Sequence, residues 1–324
     1  MDFLNHYSAK FESALAADAA DREPPELYEP INYVLKLGGK RLRPLLTLMA
    51  AEAFGEGIDQ AMGAAMAVEI FHNFTLIHDD IMDDAPLRRG MVTVHEKWDT
   101  NTGILSGDAM MILAYQQLEE YKDERYQQLM KAFNKVALEV CEGQQRDINF
   151  ETQHTVTESD YLLMIRQKTA VLVAAALQMG AIVARASAQD QDSIYTFGVE
   201  LGMAFQLQDD YLDAFGDPET FGKQVGGDII ENKKTFLYLK AMALLDSVKA
   251  QTLKDLFQKE PDSVEDKIDQ VKLFFRESKA DEAIKLKIDT HTQQAMTALE
   301  DTSLPEASKA QFRQFAIWLM SRVS

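Results

Sequence analysis

Two segments of this chain are apolar around most of their circumference, and they constrain the fold more than any other feature. The first covers residues 61–77 (AMGAAMAVEIFHNFTLI) and the second covers residues 169–184 (TAVLVAAALQMGAIVA). Both consist largely of good helix formers, so we predict a helix in each. A helix that is apolar on all sides is buried within a larger assembly rather than lying on its surface. The two segments therefore predict a large helical bundle with helices at its centre.

The remainder of the chain is also predicted to be helical. Alternating β-branched runs are scarce, and long segments rich in Ala, Leu, Met, Gln and Glu are separated by breakers such as Pro24-Pro25 and Pro305. No linker rich in Pro, Gly or Ser divides the chain. We therefore predict one all-α domain over residues 1–324, in which the more charged segment 247–306 is a peripheral helical part.

Charge and composition exclude several classes of protein. The net charge of −19 is opposite to the basic surface that nucleic acids and anionic membranes attract. Cys141 is the only cysteine, which excludes a disulfide framework. The N-terminal residues have no signal-peptide pattern, and the apolar stretch 169–184 is short for a membrane span. We expect a cytoplasmic protein with no nucleic-acid partner and no stable membrane insertion.

Two acidic clusters of identical spacing carry the strongest functional signal. The cluster 79–83 (DDIMD) follows the first apolar helix, and the cluster 209–213 (DDYLD) follows a helix that begins near Ile194. On a helix, the first and last aspartates of each cluster share a face and repel each other. A bound divalent cation attracts both carboxylates and so offsets their repulsion. Carboxylate oxygens suit Mg²⁺, which also binds phosphate oxygens of a substrate at its remaining coordination positions. One such cluster is explained equally well as solvated surface, but two favour a metal–diphosphate site in one cavity.

Basic turns flank the first acidic cluster on both sides. Residues 38–44 (GGKRLRP) place Lys40 and Arg43 near the N-terminus of a helix that Pro44 is suited to begin. Residues 88–90 (RRG) follow the cluster, and arginine binds phosphate in a bidentate fork. Singly, each cation is explained as a solvated surface charge. Together, in an acidic chain, they predict a second anion held directly by Lys and Arg.

These motifs resemble those of the trans-prenyltransferases, the linear isoprenyl diphosphate synthases of the farnesyl and geranylgeranyl type. The resemblance implies an all-α isoprenoid-synthase bundle around a central active-site cavity, and a homodimer. It extends from about residue 31 to about residue 240 through GGKRLRP (38–44), HNFTLIHDDIMD (72–83), RRG (88–90), QKT (167–169), FQLQDDYLD (205–213) and GKQVGGDIIENKKT (222–235).

The resemblance also implies a role for individual residues. Three Mg²⁺ ions would be bound by Asp79, Asp83 and Asp209, with Asp80, Asp210 and Asp213 in support. Isopentenyl diphosphate would be bound by Lys40, Arg43, His72 and Arg89. The allylic diphosphate would be bound by Arg88, Lys168, Lys223 and Lys233, while Thr169 and Gln206 would face the developing carbocation. The catalytic residues would be Asp79, Asp83, Lys168, Thr169, Gln206 and Asp209.

Two departures from the family pattern stand out. Gln224 replaces a proline that often follows the glycine–lysine pair, so we expect an altered loop without loss of activity. The first acidic cluster also lacks two extra residues that many bacterial farnesyl diphosphate synthases have.

The helix before Asp79 carries candidate residues for control of product length. Thr75 lies one turn before Asp79 on the same face, Phe74 is next to it, and Phe71 lies a further turn away. A large side chain there would act as a floor for the growing chain, although both phenylalanines are also explained as core aromatics. The pattern resembles the geranylgeranyl type, so we predict that product first and farnesyl diphosphate next.

Two other classes of protein remain open at this stage. A terpene cyclase would ionise a similar substrate but would not need Lys40 and Arg43 for a second diphosphate. A non-catalytic subunit of a heteromeric synthase would be expected to lack one acidic cluster, whereas this chain has both.

Overall fold

The structure, a computed structural model, describes residues 2–18, 22–153, 155–217, 225–258 and 263–321. These residues are almost entirely helical, which confirms the all-α prediction. Their only strands are β1 (Leu87–Arg88) and β2 (Met91–Val92), which pair antiparallel as a short hairpin.

The helices follow one another closely along the chain. In order, they are α1 (Asp2–Asp18), α2 (Pro25–Lys36), α3 (Leu42–Ala53), α4 (Ile58–Met82), α5 (Val94–Lys97), α6 (Thr100–Leu118), α7 (Glu124–Thr152), α8 (Glu158–Ile165), a π-helical turn (Arg166–Ala170), α9 (Val171–Val183), α10 (Ala188–Phe215), α11 (Gly227–Ile230), α12 (Phe236–Leu244), α13 (Ser247–Leu256), α14 (Val264–Glu277), α15 (Ala280–Glu300) and α16 (Glu306–Met320).

Contacts divide the chain into two compact units. The first unit comprises Met1–Ala137 and Ala175–Asp192, and the second comprises Leu138–Ala174 and Ser193–Ser324. The boundaries between the units fall within α7, α9 and α10. The prediction of one domain over residues 1–324 stays a prediction.

The core of the first unit is built around α4, the helix predicted from residues 61–77. Most of its apolar residues are buried, and they lie on all sides of the helix, as the sequence indicated. Glycines let α6 approach it closely. A Cβ added at Gly107 would lie 2.3 Å from Nε2 of His78, and one added at Gly103 would lie 2.8 Å from Cδ1 of Ile81. The last turn of α4 therefore fits into a notch that these two glycines leave in α6, which we call the α6 notch.

The second unit buries the π-helical turn and the start of α9 against α10. A Cβ added at Gly202 of α10 would lie 2.7 Å from the Cα of Ala170, so these backbones are nearly in contact. The continuous helical stretch Glu158–Val183 is long and apolar enough to span a membrane by composition. However, 61% of its apolar window is buried inside the protein, as in the core helix of a soluble protein.

The described residues of the charged segment 247–306 are mostly helical, and they include part of the core of the second unit. Val271 and Phe275 of α14 are 0% and 2% exposed, and both belong to the core of the second unit. They are four residues apart and form one apolar stripe on an otherwise charged helix. The composition of segment 247–306 did not indicate this stripe, because the charged residues on the exposed face of the helix dominate it.

Candidate active site

The first acidic cluster lies at the C-terminal end of α4. The N–H of Asp83 donates to the carbonyl oxygen of Asp79 at 2.8 Å, which closes the last turn and places both residues on one face. The C-terminus of a helix carries a partial negative charge, so carboxylates are unfavourable there. A bound cation would interact favourably with both the carboxylates and the helix end. The oxygen ligands and their position therefore fit a hard divalent cation.

Asp80 differs from its neighbours because it is 4% exposed and paired with Arg88 of β1. Nε of Arg88 donates to Oδ1 and Oδ2 of Asp80 at 2.7 and 2.9 Å, and Nη2 lies 2.6 Å from Oδ1. This bidentate pair attaches the hairpin to α4. The sequence assigned Asp80 to metal support and Arg88 to the allylic diphosphate, and in the structure each residue has the other as its partner.

A compact group of cations lies beside α4 in the same unit. Nη1 of Arg43 lies 3.3 Å from Nε2 of His72, and the buried Nε of Arg43 has no hydrogen-bond partner among the described residues. Arg89 has a positive φ of 55° and donates to the carbonyl oxygen of Gly38. Lys40 is exposed in the turn before α3. The structure thus brings together Arg43, His72 and Arg89, three of the residues that the resemblance assigns to isopentenyl diphosphate.

Electrostatics distinguish His72 from the arginines around it. Burial lowers the pKa of His72 well below its usual value, and the positive charges of Arg43 and Arg89 lower it further. Burial also lowers the pKa of Arg43 and of Arg89. The imidazole is therefore neutral, while the arginines repel one another until an anion neutralises them.

Arg41 belongs to the same basic turn but has a structural role. It is 5% exposed, with Nη1 2.6 Å from Oε1 of Glu69 and Nε 3.2 Å from Oε1 of Glu12. It also donates to the carbonyl oxygen of Leu35. With a φ of 48°, Arg41 fixes the left-handed turn that starts α3. Glu69 lies inside the apolar segment 61–77, and a buried carboxylate needs a positively charged partner. This was the signal in the sequence for a buried cation.

The second acidic cluster lies in α10 of the second unit, and it contacts Asp228 of α11, a carboxylate that sequence reasoning missed. The N–H of Asp228 donates to Oδ2 of Asp213 at 3.0 Å. Burial and the nearby Asp228 raise the pKa of Asp213 to about 6, and that of Asp210 to about 8. Tyr161 donates its hydroxyl to Asp210, which also accepts from Nε2 of Gln206 at 3.1 Å. This concentration of carboxylates fits a divalent cation.

The π-helical turn carries Lys168 and Thr169. Nζ of Lys168 donates to Oδ2 of Asp147 at 2.5 Å, and Oγ1 of Thr169 donates to Oε1 of Gln206 at 3.2 Å. Thr169 and Gln206, which the sequence assigned to one task, are therefore in contact. Asp147 was not predicted. Single π-helical turns frequently mark functional sites.

Lys233 of the last motif lies near the second cluster. Nζ of Lys233 is 2.6 Å from Oε2 of Glu231 and 3.7 Å from Oδ1 of Asp228. Lys223 and Gln224 lie outside the described residues.

The residues predicted to control product length differ in their surroundings. Phe71 is 0% exposed, and its ring centroid lies 5.3 Å from that of Phe133 in an edge contact, so it is a core aromatic. Phe74 is partly buried, with its ring centroid 4.8 Å from that of His78. Thr75 is also partly buried, and its hydroxyl donates to the carbonyl oxygen of His72 at 2.8 Å.

Comparisons with known proteins identify the family of this chain. A family model described as polyprenyl synthetase matches residues 24–274. A geranylgeranyl diphosphate synthase of Methanosarcina mazei is 41% identical over 74% of this chain and 75% of its own. A short chain isoprenyl diphosphate synthase of Methanothermobacter thermautotrophicus is 39% identical over 75% of each chain. A crystal structure of geranylgeranyl pyrophosphate synthase superimposes with a TM-score of 0.94 and 52% identity, covering 99% of each chain.

The chain therefore belongs to the polyprenyl synthetase family. This confirms the predicted family, its all-α fold and its assignment as a prenyltransferase.

Proposed function

We propose that this protein joins isopentenyl diphosphate head-to-tail to an allylic diphosphate in a Mg²⁺-dependent reaction that yields geranylgeranyl diphosphate, with farnesyl diphosphate as the next candidate. The main support is that the first unit holds two different sites for anions. The carboxylates of Asp79 and Asp83 suit a diphosphate bound through metal, while Arg43, His72 and Arg89 suit one bound directly. A condensation of two diphosphates needs both.

The aspartates are proposed to hold three Mg²⁺ ions, a number that rests on the resemblance to the family. By the same resemblance, the main ligands would be Asp79 and Asp83 of α4 and Asp209 of α10, with Asp80, Asp210 and Asp213 in support. The raised pKa of Asp213 supports this role, because burial and the neighbouring Asp228 both disfavour its charged form, and a bound cation would offset both effects. When bound, Mg²⁺ neutralises the charge that develops on the departing diphosphate.

Isopentenyl diphosphate is proposed to bind to Lys40, Arg43, His72 and Arg89. The neutral imidazole of His72 can donate one hydrogen bond to a phosphate oxygen, while the arginines supply the charge. The buried Nε of Arg43 offers a further donor. A buried donor without a partner is unfavourable, so a bound phosphate would restore a missing hydrogen bond.

The allylic diphosphate is proposed to bind to Arg88, Lys168, Lys233 and Lys223. Its ionisation leaves a carbocation, and the side-chain oxygens of Thr169 and Gln206, 3.2 Å apart, would direct their dipoles towards it. The double bond of isopentenyl diphosphate then forms a bond to C1 of the cation. A proton leaves afterwards, and the departing diphosphate is a sufficient base to accept it.

A homodimer is also proposed, with α6 at its interface. Leu105 and Ile112 are 60% and 58% exposed and lie seven residues apart on one face of that helix. Sedimentation of the double variant Leu105→Glu/Ile112→Glu should shift towards the monomer. Leu273→Glu, at a site 63% exposed on α14, is the matched control and should leave the dimer intact.

A product assay tests the proposed reaction. The purified protein is given labelled isopentenyl diphosphate with dimethylallyl, geranyl or farnesyl diphosphate, with and without Mg²⁺. A linear product that requires Mg²⁺ supports the proposal and gives the chain length. Release of diphosphate without isopentenyl diphosphate would indicate a cyclase, and no turnover with any primer would indicate a non-catalytic subunit. Asp79→Asn should abolish turnover, whereas Asp59→Asn, exposed at the other end of α4, should not.

A further inference from the structure

Three potential metal ligands lie close together at the base of the hairpin formed by β1 and β2. Asp84 follows the first acidic cluster in a left-handed conformation with a φ of 50°. His95 and Glu96 lie in the short helix α5, which follows the hairpin. One ligand atom of each residue lies within 4.8 Å of the other two, and they form the one such group within the described part of the chain. Asp84 and Glu96 are exposed, so solvent reaches this group.

The buried imidazole of His95 is the observation that points to a ligand. Its side chain is only 6% exposed, and neither ring nitrogen has a hydrogen-bond partner among the described residues. Burying a polar group without a hydrogen-bond partner is unfavourable, because the group loses its hydrogen bonds to water. Nε2 lies 3.9 Å from Oε1 of Glu96, which is too long for a hydrogen bond. Two ligands of one ion, each bonded at about 2.1 Å, are typically separated by about 3–4 Å.

We propose that Asp84, His95 and Glu96 form a binding site for a first-row divalent transition-metal ion such as Mn²⁺ or Zn²⁺. One imidazole nitrogen and two carboxylate oxygens suit these ions, whereas Mg²⁺ prefers oxygen ligands alone. The site is thus chemically distinct from the two aspartate clusters. The proposal of this metal site is independent of the proposed reaction, because it rests only on the arrangement of Asp84, His95 and Glu96.

Metal binding here would join the two ends of the hairpin. The hydroxyl of Thr93 already donates to the carbonyl oxygen of Ala85 at 2.8 Å, and its N–H donates to that of Pro86 at 3.1 Å. A metal bound by Asp84 on one side and His95 on the other adds a second link across the same base. Since Arg88 and Arg89 lie within the enclosed segment, an occupied site would restrict their motion.

Pulsed electron paramagnetic resonance of bound Mn²⁺ tests the site in the intact protein. The experiment is done with Mg²⁺ in excess, and the signal measured is the ¹⁴N hyperfine coupling. Mn²⁺ at the aspartate clusters has only oxygen ligands from the protein, so nitrogen coupling reports a histidine ligand. We expect coupling in the unaltered protein, its loss in His95→Gln, and its retention in the control His6→Gln, whose histidine is exposed on α1.

A second variant guards against loss of folding in His95→Gln. Asp84→Asn/Glu96→Gln changes two exposed residues, and asparagine tolerates the left-handed backbone of residue 84. We expect the affinity for Mn²⁺ to fall at least about tenfold in this variant. Amide hydrogen exchange over residues 85–93 should slow on addition of Mn²⁺ to the unaltered protein and not to the double variant. Absent nitrogen coupling in the unaltered protein, or coupling that persists in His95→Gln, would overturn the proposal.

Discussion

Arg88 binds both carboxylate oxygens of Asp80, at 2.7 and 2.9 Å from its Nε, and so attaches the hairpin to the end of α4. Neighbouring aspartates of one motif therefore have different tasks. Asp80 is buried and paired, while Asp83 is exposed at the end of the helix. Their replacements should consequently differ in effect.

Asp80→Asn should lower the free energy of unfolding by about 1–3 kcal/mol, because it removes a charge-assisted pair from a buried site. Asp83→Asn should leave stability without Mg²⁺ unchanged or raise it by about 0.3–1 kcal/mol, because it removes a negative charge from a helix C-terminus. Both should lose turnover. Denaturant unfolding without metal measures the difference, and equal losses of stability would contradict the assignment.

Phe74→Ala should lengthen the product, because it removes a large, partly buried ring from the helix along which the chain is proposed to grow. Chromatography of the dephosphorylated products measures the chain length. Phe71→Ala is the matched comparison. It should instead lower the free energy of unfolding by about 3–5 kcal/mol, since its ring is fully buried against Phe133. An unchanged product from Phe74→Ala would show that the floor lies elsewhere.

Gly143→Ala should impair turnover by displacing the π-helical turn. The added Cβ would lie 2.3 Å from the backbone nitrogen of Lys168, and backbone atoms cannot move aside by a rotamer change. A displacement of about 1 Å near reacting groups lowers turnover on the order of 100-fold. Steady-state kinetics measures this loss. Cys141→Ala, exposed on the same helix, should behave as the unaltered protein.

The pH dependence of stability should reveal the neutral state of His72. The folded protein holds the pKa of His72 well below its usual value, while the unfolded chain binds a proton near pH 6.5. The unfolded state therefore binds more protons below that pH, and acid destabilises the fold by at most about 1.4 kcal/mol per pH unit through this residue. Through His72, stability continues to fall on acidification until the pH is below the pKa of this residue in the folded protein.

The comparison uses His72→Gln, which cannot titrate. Between pH 7.5 and pH 5, the unaltered protein should lose more stability than this variant, whereas the exposed control His6→Gln should follow the unaltered protein. Denaturant unfolding at several pH values measures the difference. Parallel curves for His72→Gln and the unaltered protein would mean that folding does not lower the pKa of His72.

Sequence patterns predicted those features of the site that depend on local spacing. The apolar run before Asp79 predicted a central helix, and the four-residue spacing of Asp79 and Asp83 predicted their shared face, which α4 provides. Contacts between distant segments could not be predicted in this way. Asp147 reaches Lys168 across 21 residues, and nothing in the spacing of either residue indicates it.

The sequence also did not indicate which of the predicted site residues contact one another. Asp80 and Arg88 were each assigned to a ligand because both residue types suit one, and the contact between the two residues was not predicted. Asp228 lies within a recognised motif, yet its effect on Asp213 depends on a backbone hydrogen bond that only the folded turn creates.

The α6 notch has a consequence for how this chain can change in evolution. Because Gly107 receives His78 and Gly103 receives Ile81, the last turn of α4 is fixed in both rotation and height. A residue inserted earlier in α4 would turn everything after it by about 100° and remove both side chains from the notch. The glycine contacts of the notch therefore select against insertions and deletions in the part of α4 that precedes His78 and Ile81.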